Sequence, residues 1–392
     1  MPVIKELDAL KDEMASWRQD IHAHPETAFE EHRTSDLVAE KLSAFGIEID
    51  RGMATTGVVG TLVNGDGPSI GLRADMDALD MPEQTDLPYK SQVPGKMHAC
   101  GHDGHTTMLL GAAKHLAETK NFNGTVHFIF QPAEEMAGGG QVMVEEGLFD
   151  KFPADTVYGM HNWPNMPAGK ISVGEGPGMA SAAKFEIIVK GRGSHAATPH
   201  QGIDPVVIGA EIVSGLQTIS SRATNPIDAI VVSVTQFHAG DAMNVIPDQA
   251  VLGGTVRSFA LDPEKTIKPQ IERIAGGIAS AHGGSADVAY EQLYPVLVNN
   301  GPESEIARSA AVDVVGEENL EQAYPPTMAS EDFAFMLNER PGTFVRLGAG
   351  FPDRETYPLH NTRYEFNDEI LPIGASFWVR LVEKVLGGGI GR

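Results

Sequence analysis

Within Met97-His-Ala-Cys-Gly-His-Asp-Gly-His105 fall three histidines, an aspartate and the only cysteine of the chain. Thiolate and imidazole are good ligands for zinc and its transition-metal neighbours. A polar loop that caps the following helix, with Asp103 near its N-terminus, would explain one such histidine. It explains His98, Cys100, His102 and His105 together poorly, in a chain with 14 histidines and one cysteine. A second group follows the apolar run Phe128-Ile-Phe, where Gln131-Pro-Ala leads into Glu134 and Glu135. An isolated Glu-Glu pair is usually a solvated turn, but this arrangement recurs. Ile70–Arg73 is followed by Asp75 and Asp77, Val157–Met160 by His161, and Phe344–Leu347 by a glycine-rich loop and then His360. In open α/β sheets ligands collect at the carboxyl ends of strands. Four strand-like runs that each finish near a metal-capable residue therefore point to one site.

The donors exceed what one ion needs. A catalytic zinc keeps about three protein ligands and leaves a position for water. Cys100, His102, a glutamate, His161, His360 and an aspartate suit two ions with water between them, an arrangement that makes water acidic and polarises a carbonyl. Glu134 and Glu135 are neighbours whose side chains point in different directions. One can ligate while the other acts as general base and passes its proton to a leaving nitrogen.

These residues need a scaffold. Ile4, Leu7, Met14, Trp17 and Ile21 recur at helical spacing and predict an amphipathic helix ending near Pro25; a second runs from about Thr34 to Phe45 and stops at Gly46. Strands over Ser69–Arg73, Thr125–Phe130 and Thr156–Met160 alternate with helices, including one from Gly104 to Thr119, so a largely parallel α/β sheet is expected. Gly174–Ser181 is rich in turn formers and reads as a hinge. Beyond it the order becomes strand Lys184–Lys190, helix Pro205–Ser221, strands Ala229–Phe237 and Gln249–Phe259, helix Pro263–Ala281 and strand Ala286–Leu293. That is the β-α-β-β-α-β order of a ferredoxin-like unit. The expected architecture is an α/β/α sandwich over residues 1–179 and 293–392, with an α+β domain inserted at 180–292. A strand over Thr343–Leu347 rejoins the first domain.

Composition narrows the partners. With 29 Lys+Arg against 53 Asp+Glu the formal charge is −24, which repels nucleic acid and anionic membranes. A single cysteine permits no intramolecular disulfide and suits a reducing compartment. The start Met1-Pro-Val-Ile-Lys-Glu-Leu lacks signal-peptide character, and no apolar run approaches a membrane span, so a cytoplasmic location is expected.

With those residues in view, the chain resembles the aminoacylase/carboxypeptidase superfamily of metallo-amidohydrolases. Within it the chain is most similar to hippurate hydrolases, N-acyl-amino-acid amidohydrolases and plant auxin-conjugate hydrolases. The resemblance rests on Gly71–Leu79, Met97–His105, Gln131–Glu135, Gly159–Asn162, Gly191–His200, Asn244–Pro247, Gly254–Arg257 and Ser330–Phe333, in order along nearly the whole chain. It implies Cys100, His102, Glu135, His161 and His360 as ligands of two divalent metals (zinc, manganese, cobalt or nickel), Glu134 as base, and Asp77 as the carboxylate that orients a ligand. One departure is Asp80, where the pattern leads us to expect proline.

The resemblance further implies that the insert is a lid through which a homodimer or homotetramer forms, and that His195 stabilises an oxyanion. For Arg257, a substrate α-carboxylate and an internal salt bridge compete as partner; Asn244 could donate to the same groups. Ser330–Phe333 would line a specificity pocket, and Gly138–Gly140 would lend a loop its freedom. The expected substrate is a small N-acyl amino acid. A dipeptide-cleaving metallopeptidase, a non-catalytic binding protein on the same fold, and a cysteine hydrolase using Cys100 are the alternatives.

Overall fold

The computed structural model describes residues 3–321 and 325–387. The chain divides into two compact units, one formed by the described residues of Met1–Gly178, Val298–Pro325 and Asp332–Arg392, the other by Met179–Leu297 with Pro326–Glu331.

The first unit is built on an eight-stranded sheet. Its spatial order is Glu48–Met53, Gly57–Asn64, Gly124–Gln131, Ser69–Asp75, Thr156–Pro167, Gly342–Gly350, Ile171–Ser172 and Leu320–Glu321. The four middle strands from Gly124–Gln131 to Gly342–Gly350 are all parallel. Strands of this kind are covered on both faces and so read as continuous apolar runs; every residue of Gly342–Gly350 is buried. Helices His102–Thr119 and Leu371–Leu386 bury Met108, Leu109, Phe377 and Trp378 in the same apolar cluster as Phe128, Phe130 and Leu72 from the sheet.

The opening helix divides into Lys5–Ala9 and Lys11–Ala23. At Leu10 the main-chain N–H is shared between the carbonyls of Glu6 and Leu7, each at 3.2 Å, which tightens the turn and restarts the helix. The strand expected over Thr156–Met160 continues to Pro167 because Gly342–Gly350 keeps pairing with it, Arg346 opposite His161 and Leu347 opposite Asn162. His161 therefore sits inside a paired strand, where its backbone is fixed.

The second unit is a four-stranded antiparallel sheet in the order Ile230–Ala239, Gln249–Ser258, Ser181–Lys190, Ser285–Tyr294. Phe185, Ile187 and Val189 alternate with exposed or partly exposed neighbours and cluster with Ile208, Ile212 and Leu216 of helix Pro205–Thr218 and Ile271 and Ala275 of helix Lys268–Ala281. Asp204 starts the first of these helices by accepting from the amides of Val206 and Val207, with Pro205 at the first helical position. This is the ferredoxin-like arrangement. No helix among the described residues is long and apolar enough to cross a membrane.

Candidate metal centre

At the carboxyl end of the first unit's sheet, side chains from distant parts of the chain meet. Cys100 lies just before helix His102–Thr119 and His102 is its first residue. Glu134 and Glu135 follow strand Gly124–Gln131, Asp77 follows Ser69–Asp75, and His360 follows Gly342–Gly350. Cys100 Sγ stands 3.3 Å from His161 Nε2, and His360 Nε2 stands 3.2 Å from Glu135 Oε1. Ligand atoms of Cys100, His102 and His161 lie within 4.8 Å of one another, as do those of Cys100, Glu135 and His360, and those of His102, Glu134 and Glu135. Cys100 is common to the first two groups.

Backbone carbonyls and amides settle the imidazole tautomers, since a carbonyl only accepts and an amide N–H only donates. His161 Nδ1 donates to the Asn162 carbonyl at 2.6 Å, which leaves Nε2 facing Cys100. His102 Nδ1 lies 3.1 Å from Asp77 Oδ1, and its Nε2 faces the cluster. His105 Nε2 accepts from the Asn162 amide at 2.9 Å, so its proton is on Nδ1 and goes to Asp75 Oδ1 at 2.6 Å. His105 therefore orients neighbours and presents no lone pair to a metal. His98, the fourth member of the sequence cluster, is buried, with neither ring nitrogen hydrogen-bonded.

The donor set fits divalent cations. His102 Nε2 and Glu135 Oε1 are buried without a hydrogen-bond partner and 3.9 Å apart. Two nitrogen, oxygen or sulfur ligands on one tetrahedral zinc stand roughly 3.3–3.6 Å from each other, close to the 3.3 and 3.2 Å observed here. Charge agrees with geometry. Burial alone would depress His102, but Asp75, Asp77 and Glu135 outweigh it and push its pKa up to about 10. Burial, with Glu135, Glu134 and Asp75 nearby, drives the Cys100 thiol well above its usual range. Burial and the neighbouring His105 and His102 hold His161 well below its usual value, so its lone pair stays available. An excess of carboxylate charge around these buried donors is the environment a cation completes.

The turn bearing the two glutamates is braced from outside the cluster. Ala133 has a φ of 58°, a left-handed conformation costly for a residue with a Cβ. Its amide donates to Glu31 Oε1 at 3.0 Å, and the Glu135 amide to Asp77 Oδ2 at 2.9 Å. Asp332, fully buried, accepts from Arg73 Nη2 and from the Gly140 amide, both at 2.8 Å. Asp332, next to the buried Phe333, thus supports the turn from behind. Gly139 and Gly140 open helix Gly139–Glu145; a Cβ on Gly139 would lie 1.8 Å from the Pro132 carbonyl oxygen. Close packing, rather than loop freedom, demands glycine there.

Glu31 gives a stability prediction. Burial raises its pKa from the ordinary carboxylate range to about 7, despite the hydrogen bond from Thr56 Oγ1. The folded state then holds a proton that the unfolded chain releases, so stability falls as pH rises from about 4.5 to 7. Glu31→Gln keeps an acceptor for Ala133 and removes the buried charge. It should stabilise the protein by about 2–3 kcal/mol at pH 8 and leave it nearly unchanged at pH 4.5, as read by urea unfolding at both values. Equal effects at the two pH values would contradict this account.

The remaining candidate residues belong to the second unit. His195 and Asn244 are neighbours on a short ribbon in which Val245 pairs with His195, and the Ala196 amide donates to the Asn244 carbonyl at 3.0 Å. His195 is exposed, and its Nδ1 accepts from the Ala197 amide at 3.0 Å, which puts the ring proton on Nε2. Arg257 is half-buried and donates to its neighbour's carbonyl, that of Val256, at 3.0 Å. Among the described residues no carboxylate pairs with it. The internal salt bridge considered from sequence is therefore not found.

Sequence reading passed over Glu31, Arg73 and Asn162, and placed Asp75 only as a ligand candidate. Arg73 is fully buried and bonds Asp75, Asp332 and Gln131. Its charge in the middle of an apolar strand was a signal that carboxylates would gather there.

Comparison with known proteins gives the family. Residues 71–384 match the peptidase family M20/M25/M40. The chain is 42% identical to the hippurate hydrolase of Campylobacter jejuni over 98% of its length and 100% of that protein. It is 39% identical to the N-acetylcysteine deacetylase of Bacillus subtilis, covering 96% of this chain and 98% of the relative. A crystal structure of a dinuclear metal-binding peptidase from Bacillus subtilis superposes with a TM-score of 0.86 at 36% identity, over 97% of this chain and 99% of that one. A cluster of metal-capable donors at the strand ends, and kinship along nearly the full length, place this chain in the M20/M25/M40 peptidase family, as a hydrolase of its metallo-amidohydrolase branch.

Proposed function

We propose that the chain hydrolyses the amide bond of small N-acyl amino acids, releasing a carboxylic acid and a free amino acid. The observation that carries this reading is the meeting of Cys100, His102, Glu135, His161 and His360 beside the carboxylate of Glu134. Relatives named for hippurate and N-acetylcysteine support the substrate class. Two divalent cations (zinc, manganese, cobalt or nickel) held by those five residues would polarise the scissile carbonyl and make water acidic.

The chain's own groups do the rest. Glu134, buried at the rim of the cluster, takes the proton of the attacking water on its carboxylate and delivers it to the leaving nitrogen. Asp77 keeps His102 in the tautomer that offers Nε2. In this proposal His195 donates its Nε2–H to the developing oxyanion, and Arg257, which lacks a carboxylate partner among the described residues, receives the substrate α-carboxylate with help from Asn244. His195→Ala should then lower kcat by about 10²-fold while cation content stays unchanged; a kcat within threefold of wild type would remove His195 from the reaction.

A dipeptide carries the same amide and carboxylate, and the dinuclear neighbour described as a peptidase favours it as a second reading. Purified protein assayed on benzoyl-glycine, acetyl-amino acids and plain dipeptides, with and without chelator, separates the two. Turnover of dipeptides alone would refute the first reading. We further propose a cytoplasmic enzyme that assembles as a homodimer or homotetramer through the second unit. There Val231 and Phe237 of the edge strand, with Met243 and Val245, expose apolar surface. Light scattering on the purified protein tests this.

A further inference from the structure

We propose that Asn162 is a positioning residue that fixes the separation of Cys100 and His161 and thereby sets the affinity of the centre for its cations. The proposal rests on the metal-centre reading above. Asn162 is fully buried on the strand that also carries His161. Its Nδ2 donates to the Cys100 carbonyl at 2.6 Å and lies 3.0 Å from His105 Nε2. Since that carbonyl only accepts, the amide orientation is settled, and Oδ1 receives the Tyr364 hydroxyl at 2.8 Å. On the main chain, its N–H goes to His105 and its carbonyl takes the His161 Nδ1 proton.

One residue thus joins three segments that bear candidate ligands. These are the loop with Cys100, the strand with His161, and the stretch from His360 to Tyr364. The approach is very close. A Cβ on Gly101, whose φ is 95°, would stand 2.1 Å from Asn162 Nδ2, so the loop can come this near only with glycine after the cysteine. A residue that merely filled a polar hole would not bond to the backbone of one donor and take the ring proton of another. Outer residues that hold metal ligands in this way are worth about 10–100-fold in metal affinity.

Asn162→Asp tests it with little change in volume. The variant keeps an acceptor for Tyr364 but turns an oxygen toward the Cys100 carbonyl where a donor stood. Co2+ titrated into the metal-free protein should show two ions per wild-type chain and a thiolate-to-cobalt charge-transfer band. In the variant we expect the Co2+ dissociation constant to rise about 10–100-fold and the band to weaken. Tyr364→Phe removes a bond on the far side of the same amide and should weaken Co2+ binding by less than about tenfold. If Asn162→Asp does not fold, Asn162→Ala, which brings no charge into the pocket, takes its place in the same titration. Wild-type affinity and band in the Asn162 variant would overturn the proposal, as would equal weakening by Tyr364→Phe. Absence of Co2+ uptake by the wild-type protein would instead bring down the metal-centre reading beneath it.

Discussion

Glu134→Gln will retain both cations and lose turnover by about 10³-fold or more, toward the upper end of what general acid–base catalysis contributes. Glutamine has nearly the same shape, so the turn braced by Glu31 and Asp77 remains as it is. What it lacks is basicity. A neutral amide takes no proton from water and returns none to the departing nitrogen, so both halves of the reaction slow together. Elemental analysis of the variant, with kcat at saturating benzoyl-glycine, provides the check. A variant that holds both cations and turns over within tenfold of wild type would show that the proton travels by another route. The cysteine-hydrolase alternative predicts the same small effect, so it is tested in the same experiment.

Removing the cations should be the more drastic change. Dialysis against a chelator is expected to abolish turnover, and zinc, manganese, cobalt or nickel should restore it to different extents. The loss should also appear in stability. A cation present at 100 to 1,000 times its dissociation constant stabilises the folded state by about 2.7–4.1 kcal/mol, so the metal-free protein should melt several degrees lower. Without the cations, Glu135 Oε1 is left buried with no hydrogen-bond partner, and the carboxylates around Cys100 repel one another. A melting temperature and turnover unaffected by chelation would refute the metal centre altogether.

Much of this site could be read before any fold was known, for a physical reason. Parallel strands covered on both faces need continuous apolar residues, so Ser69–Asp75, Gly124–Gln131, Thr156–Pro167 and Gly342–Gly350 stood out, and the polar residues just beyond them were conspicuous. The insert was equally legible because its element order has one common solution. The edge strand Glu48–Met53 gave little signal, being largely exposed. The bracing residues were hidden for another reason. Glu31 meets Ala133 and Asn162 meets Cys100 only through the fold, and no local period records such pairings. His105 was read with its neighbours as a possible ligand, yet a single backbone amide from Asn162 gave it another task.

The position of Gly342–Gly350 beside Thr156–Pro167 has a consequence for biosynthesis. As the chain leaves the ribosome, Thr156–Pro167 must wait with one edge open while the whole ferredoxin-like unit is translated. That unit can complete its own sheet first, because nearly all of its strands are contiguous in sequence. His360 emerges later still. A nascent or truncated chain therefore cannot assemble the full set of candidate donors, and on the proposed reading cation uptake would be a late event, coupled to closing this sheet.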